Sequence, residues 1–307
     1  MRILVLGAGA TGGYFGGRLL EAGRDVTFLV RPKRAAELAQ TGLVVRSRFG
    51  NIEIHSPATV TSETLSETFD LVLLSSKAYD LNTAMDAIAP AVGEKTAIIP
   101  LLNGMQHIEL LTSRFGSEHV LGGWAMISAV LDNEGRIIHL NDLHGLSYGE
   151  LSGQRTARAE AIYRQLAGAG FDARLSDTIL QEMWEKWILI AALAGITCLM
   201  RAPIGVIVAA GAAKLALALL DECAAVAGAE GYPPSKAAME LNRTILTTPD
   251  SPLTASMLRD IESGAPIEGD QIVGDLLRRA EEHAVASPML RISYAHLKAY
   301  ELQRRAG

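Results

Sequence analysis

The chain opens with Arg2-Ile3-Leu4-Val5-Leu6-Gly7-Ala8-Gly9-Ala10-Thr11-Gly12, a short apolar run followed by three spaced glycines. A periodic apolar segment, Tyr14 to Leu20, comes next, so the order predicted is strand, glycine-rich turn and helix. This is the arrangement that opens dinucleotide-binding domains. The stretch therefore predicts an α/β fold with an N-terminal Rossmann-type domain.

Each glycine has a physical reason in this arrangement. Gly7 allows a tight turn out of the strand, Gly9 lets backbone approach a pyrophosphate, and Gly12 lets the helix pack close to the strand. The free N–H groups and partial positive charge of the helix N-terminus suit phosphate groups. A tight turn without a ligand is the alternative. The predicted cofactor-binding residues of the loop are Gly7, Ala8, Gly9, Ala10, Thr11 and Gly12.

Charge, cysteine content and the length of the apolar runs exclude several classes of protein. The 307 residues carry a net charge of −6 without a basic tract, which argues against nucleic acid and anionic membranes as partners. The two cysteines, Cys198 and Cys223, lie in apolar helical contexts, a cytoplasmic pattern. The longest apolar run, Trp187 to Met200, is shorter than the about 20 residues that span a bilayer. With the first strand at the N-terminus, no secretory signal is predicted, and we expect a cytoplasmic location.

The residue type at the end of the second predicted strand indicates which nicotinamide cofactor is bound. In this fold the residue after a strand over Asp25 to Val30 meets the adenosine ribose, where a carboxylate suits NAD and an arginine suits the 2′-phosphate of NADP. Arg31 occupies this position, Lys33 and Arg34 follow, and the first acid is Glu37. The pattern favours NADPH/NADP+, although a solvated basic loop is the alternative.

Two more strands end in polar residues. Asp70 to Lys77 reads as a buried parallel strand, and Thr96 to Leu102 reads as another that leads into Asn103-Gly104. Ligands of open α/β sheets sit beyond the C-terminal strand ends, so Lys77 and Asn103 are candidates to contact cofactor or substrate. A surface lysine and a helix cap are the alternatives.

The remaining pattern divides the chain near residue 175. Residues 136–140 and 145–149 suggest antiparallel strands that complete the sheet, and a last strand covers 171–175. We predict a Rossmann domain over 1–175 and an all-α domain over 176–307. The Ala-rich helix at 205–229 could pack within that domain or against a second subunit, which leaves a homodimer open. Further helices are predicted at 234–246, 251–262, 270–285 and 288–304.

Two ionisable residues of the helical half are candidates for chemistry. Lys186 stands at the head of an apolar run, where a lysine either extends to water or is held in a cleft. Glu268 beside a glycine is also consistent with a cap or a surface acid. The seven histidines are scattered without metal-ligand spacing, so no metal site is predicted.

These motifs, taken in order, resemble the ketopantoate reductase family, the NADPH-dependent 2-dehydropantoate 2-reductases, over essentially the whole chain. The ordered set is more specific than any one member. The resemblance rests on the loop Gly7 to Gly12, Arg31, Ser76-Lys77-Ala78, Asn103-Gly104, Trp184-Glu185-Lys186, Ser256-Met257-Leu258-Arg259-Asp260 and Glu268.

The resemblance implies a role for each matched residue. Lys186 is expected to donate the proton to the substrate carbonyl oxygen, with Glu268 close to it at the nicotinamide end of the cofactor. Lys77 and Asn103 look like cofactor contacts near the active cleft, Asn103 also facing the substrate, and Ser256 looks like a substrate contact. The implied reaction is reduction of 2-dehydropantoate to pantoate, in pantothenate biosynthesis.

The sequence departs from the family pattern on the lysine helix. Typical members carry asparagines one and two turns after the lysine, and these bind substrate. The matching positions here are Ile190 and Ala194, on the same helix face as Lys186. Each lost hydrogen bond would cost about 0.5–1.5 kcal/mol. Thr197 and Arg201 lie further along and could compensate.

Other functions therefore stay open. A paralogous reductase could act on another 2-oxo acid or ketone. A non-catalytic NADPH-binding protein and a β-hydroxyacid dehydrogenase of the same two-domain plan are further alternatives. The joint presence of Lys186, Ser256 and Glu268 favours the reductase type.

Overall fold

The computed structural model describes residues 1–306, and these form two compact units. One unit contains Met1–Leu102 and His107–Leu180, and the other contains Asn103–Gln106 and the chain from Gln181 onward. The first unit holds the strands and the second is helical, so the predicted α/β fold with an all-α C-terminal region is confirmed. The bounds 1–175 and 176–307 stay a prediction about domains.

Strands of the first unit, within residues 1–306, make up two five-stranded sheets. In chain order they are β1 Arg2–Leu6, β2 Asp25–Leu29, β3 Leu43–Arg46, β4 Ile52–Ile54, β5 Thr59–Val60, β6 Phe69–Leu74, β7 Val92–Pro100, β8 Leu121–Leu131, β9 Ile137–Glu150 and β10 Asp172–Leu175.

The helices follow a similar order. In chain order they are α1 Ala10–Glu21, α2 Pro32–Thr41, α3 Leu81–Ile88, α4 Gln106–Phe115, α5 Ala157–Leu166, α6 Ile179–Met200, α7 Ile204–Ala209, α8 Ala213–Ala229, α9 Lys236–Thr247, α10 Ser256–Glu262, α11 Asp275–Glu282 and α12 Pro288–Ala306. Short 3-10 turns cover Ala78–Asp80 and Ala89–Ala91, and a π-helical turn covers Asp270–Gly274.

The first sheet has the order β5-β2-β1-β6-β7, and all of its pairs are parallel. Its four longest strands end in register, because Leu6 pairs with Leu29 and Leu74, and Leu74 pairs with Pro100. The glycine loop after β1 and the polar residues that follow β2 and β6 therefore lie along one edge of the sheet.

Helix α1 packs against strands of both sheets of the first unit. Its glycines make this close packing feasible. A Cβ on Gly16 would lie 2.5 Å from the Phe28 ring of β2, and a Cβ on Gly13 would lie 2.4 Å from Ile137 Cδ1 of β9. The glycine-rich sequence thus seats the helix that begins at the Gly7–Gly12 loop firmly in the core.

The second sheet corrects one prediction. Residues 136–140 and 145–149 are not two antiparallel strands that complete the first sheet; they belong to the single strand β9, which pairs with β8, β3 and β10 in a separate sheet. The polar residues between them form an irregularity in the strand. Asn141 Oδ1 accepts the Ser128 N–H at 3.0 Å, which satisfies a backbone group there without a turn.

Two predicted helices are divided. The segment 205–229 breaks into α7 and α8 at Gly211, whose φ of +79° allows the N–H groups of Gly211 and Ala212 to bond back to Val208 and Ile207. The segment 270–285 begins with the π-helical turn Asp270–Gly274 before α11. The predicted helix 251–262 begins only at Ser256.

Helix α6 is long and apolar enough to pass a length-and-composition test for a membrane span. In its most apolar window, 61% is buried inside the protein. Trp184, Trp187 and Ile188 are almost fully buried. This is the pattern of a core helix.

Candidate functional site

The Gly7–Gly12 loop has the geometry of a phosphate-binding turn. Gly7 has a φ of +91°, and its N–H bonds to Leu29 O at 2.9 Å, which closes the turn onto β2. A Cβ on Gly12 would lie 2.2 Å from Gly7 O, so only glycine fits there. A Cβ on Gly9 would meet nothing within 4 Å. The loop is tight on its inner side and open in front of Gly9.

The N-terminus of α1 is free of side-chain capping. Gly9 is the cap residue, and no side chain accepts from the first turn of the helix, which starts at Ala10 and Thr11. Ala8 is buried, and its carbonyl oxygen accepts a hydrogen bond from the side chain of Arg34. Uncapped N–H groups facing open space suit an anion such as a pyrophosphate.

A second polar segment follows β6 at the same sheet edge. Ser75 Oγ donates to Leu6 O at 2.6 Å and packs under the loop. Ser76 Oγ is buried and has no hydrogen-bond partner among residues 1–306. Lys77 is exposed and begins the 3-10 turn Ala78–Asp80. Because a buried hydroxyl without a partner is unfavourable, this edge also has the character of a binding surface.

The two arginines after β2 have different roles. Arg31 is 79% exposed and its guanidinium contacts Asp80 at 2.8 Å. Arg34 is largely buried: it donates to Ala8 O at 3.2 Å and to Gly135 O at 2.9 Å. Arg34 therefore supports the glycine loop, and Arg31 is the exposed cation of the two.

In the second unit, Lys186 and Asn103 meet. Lys186 lies on α6, and its Nζ donates to Asn103 Oδ1 at 3.1 Å. Burial lowers the pKa of Lys186 to about 8, and the negative charge of Glu268 works in the opposite direction. The structure thus brings two predicted site residues, Asn103 and Glu268, which are 165 positions apart in the sequence, to the ammonium group of Lys186.

The partners of Lys186 are held in place by their own segments. Asn103 precedes Gly104, whose φ of +86° makes a turn possible that few other residues would tolerate. Glu268 is 6% exposed and lies two residues before the π-helical turn. An ammonium group with a tuned pKa beside a neutral amide and a carboxylate is equipped to hold and transfer a proton.

The other residues predicted on the substrate side lie further along α6 and contact other parts of the second unit. Ile190 is half-buried and Ala194 is 2% exposed, so the stripe after Lys186 is apolar. Thr197 donates to Leu193 O at 2.6 Å and accepts from Ala255 N at 3.4 Å, so its hydroxyl is engaged within the fold. Arg201 is exposed at the end of α6.

Ser256 is exposed and is the first residue of α10. The residue before it, Ala255, is the cap residue of that helix and is the one bonded to Thr197. Thr197 therefore contacts the start of the helix that carries Ser256, and its compensation for the missing asparagines stays a prediction.

Some relevant residues were not found by sequence reasoning. No functional role was predicted for Asp80, Ser76 or Trp187, and Arg34 was predicted only as part of a basic loop. No short-range pattern marks these contacts, because each partner lies far away in the sequence. Within residues 1–306, no group of three or more His, Cys, Asp or Glu side chains could hold a metal ion.

Comparison with known families agrees with this geometry. The model described as Ketopantoate reductase PanE/ApbA matches residues 3–153, and the model of its C-terminal part matches residues 178–301. Together they cover most of the chain. The protein belongs to the ketopantoate reductase family, which confirms the resemblance drawn from the motifs.

Individual relatives place it within the family as an oxidoreductase. It is 40% identical to the uncharacterized oxidoreductase YkpB of Bacillus subtilis, over 99% of this chain and 100% of that protein. It is 30% identical to the 2-dehydropantoate 2-reductase of Archaeoglobus fulgidus, over 92% of each chain. A solved 2-dehydropantoate 2-reductase from Methylococcus capsulatus shares the fold with a TM-score of 0.88 and 27% identity, over 99% of this chain and 98% of that one.

Proposed function

We propose that the protein is an NADPH-dependent reductase that converts a 2-oxo acid to the 2-hydroxy acid, with 2-dehydropantoate, and hence pantothenate biosynthesis, as its leading assignment. The hydrogen bond from Lys186 Nζ to Asn103 Oδ1 carries this proposal. It holds a partly buried ammonium group in a fixed place near the carboxylate of Glu268. Relatives named 2-dehydropantoate 2-reductase support the choice of substrate class.

The residues of the first unit fit a dinucleotide. The open space in front of Gly9 and the uncapped start of α1 suit the pyrophosphate. Arg31 suits a 2′-phosphate, because its exposed ion pair with Asp80 is worth only about 0–1 kcal/mol and gives little competition. Lys77 and the Ser76 hydroxyl supply further polar contacts at the same edge. NADPH, when bound, supplies the hydride.

The side chains of the second unit supply the proton. Lys186 hydrogen-bonds the carbonyl oxygen of the substrate, stabilises the negative charge that develops there, and delivers a proton from Nζ. Asn103 orients Nζ through its amide oxygen. Glu268 favours the charged form of Lys186, while burial opposes it. We assign Ser256 to the substrate side and Glu268 also to the nicotinamide end of the cofactor.

A second substrate remains a candidate for a specific reason. Ile190 and Ala194 stand where the family pattern has asparagines, and Thr197 is engaged elsewhere. An apolar wall gains nothing from the polar groups of 2-dehydropantoate, but it suits a 2-oxo acid or ketone with an apolar side chain. A paralogous reductase is therefore the alternative within the same chemistry.

A substrate panel tests the proposal. NADPH absorbance is followed with 2-dehydropantoate and with 2-oxo acids that carry linear, branched and aromatic side chains. Turnover of 2-dehydropantoate as good as its best competitor supports the leading substrate, and a clear preference for an apolar 2-oxo acid supports the alternative. NADPH binding without turnover of any member would support a non-catalytic NADPH-binding protein instead.

We further propose a cytoplasmic location and a homodimer. Cys198 and Cys223 are free and buried, which suits a reducing compartment without disulfides. Val206 of α7 and Leu215 of α8 are exposed apolar side chains that a second subunit would cover. Sedimentation analysis tests the dimer, and a monomer at micromolar concentration would contradict it.

A further inference from the structure

The residue after Lys186 links the two segments that surround it. Trp187 is 1% exposed, and its indole Nε1–H donates to Ile272 O at 2.9 Å. The Ile272 N–H in turn donates to Glu268 O at 3.0 Å. A continuous path of two hydrogen bonds therefore joins the lysine helix to the residue whose charge acts on Lys186.

The third partner packs at the same point. A Cβ on Gly104 would lie 2.8 Å from Gln271 O and 4.0 Å from the Trp187 ring. The turn that carries Asn103 is thus in close contact with both the indole and the segment Glu268–Gly274. Trp187 therefore lies where three segments meet: the turn that carries Asn103, the helix that carries Lys186, and the segment that begins at Glu268.

The far side of the segment Glu268–Gly274 is anchored independently. Asp270 accepts from Tyr294 OH at 2.8 Å and from Lys298 Nζ at 2.9 Å, both on α12. The segment contains the π-helical turn Asp270–Gly274, a conformation that often occurs at functional sites. One side of this segment is therefore bonded to α12, and the Trp187 bond holds its other side against α6.

We propose that Trp187 is a positioning residue, whose indole N–H holds the segment Glu268–Gly274 against α6 and so fixes the Glu268 carboxylate relative to Lys186. The catalytic meaning of this positioning rests on the proposed function. Two other charged side chains near Trp187, those of Glu185 and Arg279, have partners of their own. Glu185 Oε1 accepts from Ser235 N at 2.8 Å, and Arg279 lies over the rings of both Trp184 and Trp187.

The test measures the pKa of Lys186 directly, in the full chain without cofactor or substrate. Lysines are methylated with a carbon-13 label, and the Lys186 signal, identified by its absence in Lys186→Ala, is titrated by NMR. In Trp187→Phe the indole N–H is lost, and we expect the pKa of Lys186 to fall by about half a unit. This is the change for two opposite charges about 5 Å apart that separate by about 1 Å at an effective dielectric constant of about 20.

Trp184→Phe is the matched control. Trp184 lies one turn earlier on α6, is equally buried, stacks with Tyr232 and contacts the same arginine. Its ring also packs against that of Trp187, with centroids 4.8 Å apart. Because Phe keeps an aromatic ring at this position and the Trp187 bond to Ile272 is not removed, the Lys186 titration should stay unchanged. An unchanged titration in folded Trp187→Phe, or an equal fall in Trp184→Phe, would overturn the inference.

If Trp187→Phe does not fold by circular dichroism, hydrogen exchange of the Trp187 indole N–H in the wild type decides, because a buried N–H bonded to Ile272 O should be strongly protected. An indole N–H that exchanges as fast as that of an exposed tryptophan would then overturn the inference. The readout needs no turnover, so it stays informative even if the substrate panel shows no reductase activity. Where activity is present, the alkaline limb of the kcat/KM profile should move in the same direction as the NMR titration.

Discussion

The glycine loop presents backbone groups, whereas the surroundings of Lys186 consist of side chains. At the loop, function depends on backbone: a positive φ at Gly7, open space in front of Gly9 and uncapped N–H groups of α1. Around Lys186 it depends on buried side chains brought together from distant parts of the sequence. A backbone site can bind many phosphate groups, whereas a side-chain site is specific to one reaction. In the proposed function the first region therefore binds the cofactor, and the second region carries out the chemistry.

The largest expected effect separates the two regions. Lys186→Ala should lower kcat by about 10²–10⁴-fold, the size of a general-acid contribution, because it removes the proton donor. The Kd of NADPH, measured by fluorescence titration in the same variant, should stay within about twofold, since phosphate binding belongs to the loop. Wild-type turnover in Lys186→Ala would refute the assignment of the proton donor.

Arg31→Ala should act on the other region alone. Losing a charge-assisted hydrogen bond worth about 1.5–3 kcal/mol should weaken NADPH by about 10–150-fold and leave NADH nearly unchanged. Lys33→Ala is the matched control, because it removes a neighbouring exposed cation from the same helix. An NADPH/NADH preference that does not change in Arg31→Ala would exclude a 2′-phosphate contact.

A smaller effect probes the substrate side. Ile190→Asn restores an amide one turn after Lys186 and should raise kcat/KM for 2-dehydropantoate by about 2–10-fold, the value of one hydrogen bond of about 0.5–1.5 kcal/mol. Leu189→Asn, one residue away and off that face, is the control. Steady-state kinetics that show equal changes in both variants would mean that the stripe does not contact the substrate.

The same contrast explains what the sequence could predict. The loop, β1, α1 and Arg31 are local features, and their spacing alone indicated the fold and the nucleotide-binding edge. The resemblance to a family then pointed to Lys186, Asn103 and Glu268, which no periodicity would have joined. The structure brings Asn103 and Glu268 to the ammonium group of Lys186, and the catalytic roles of the three stay a proposal.

What the sequence missed depends on long-range contacts. Strand β9 continues through polar residues that looked like a turn, because Asn141 satisfies the Ser128 N–H across the sheet. Arg34 was predicted only as part of a basic loop, yet its bonds to the carbonyls of Ala8 and Gly135 make it a support of the glycine loop. The bond from Trp187 to Ile272 spans 85 positions, beyond any local pattern.

The most direct test of Lys186 as proton donor is the pH dependence of kcat/KM in the wild type and in Glu268→Gln. Only protonated Lys186 can donate, so the rate should be highest below the pKa and fall as pH rises through about 8. Glu268 raises that pKa, so its loss should move the fall to lower pH. A fall at the same pH in both enzymes, or a flat profile across this range, would contradict the account.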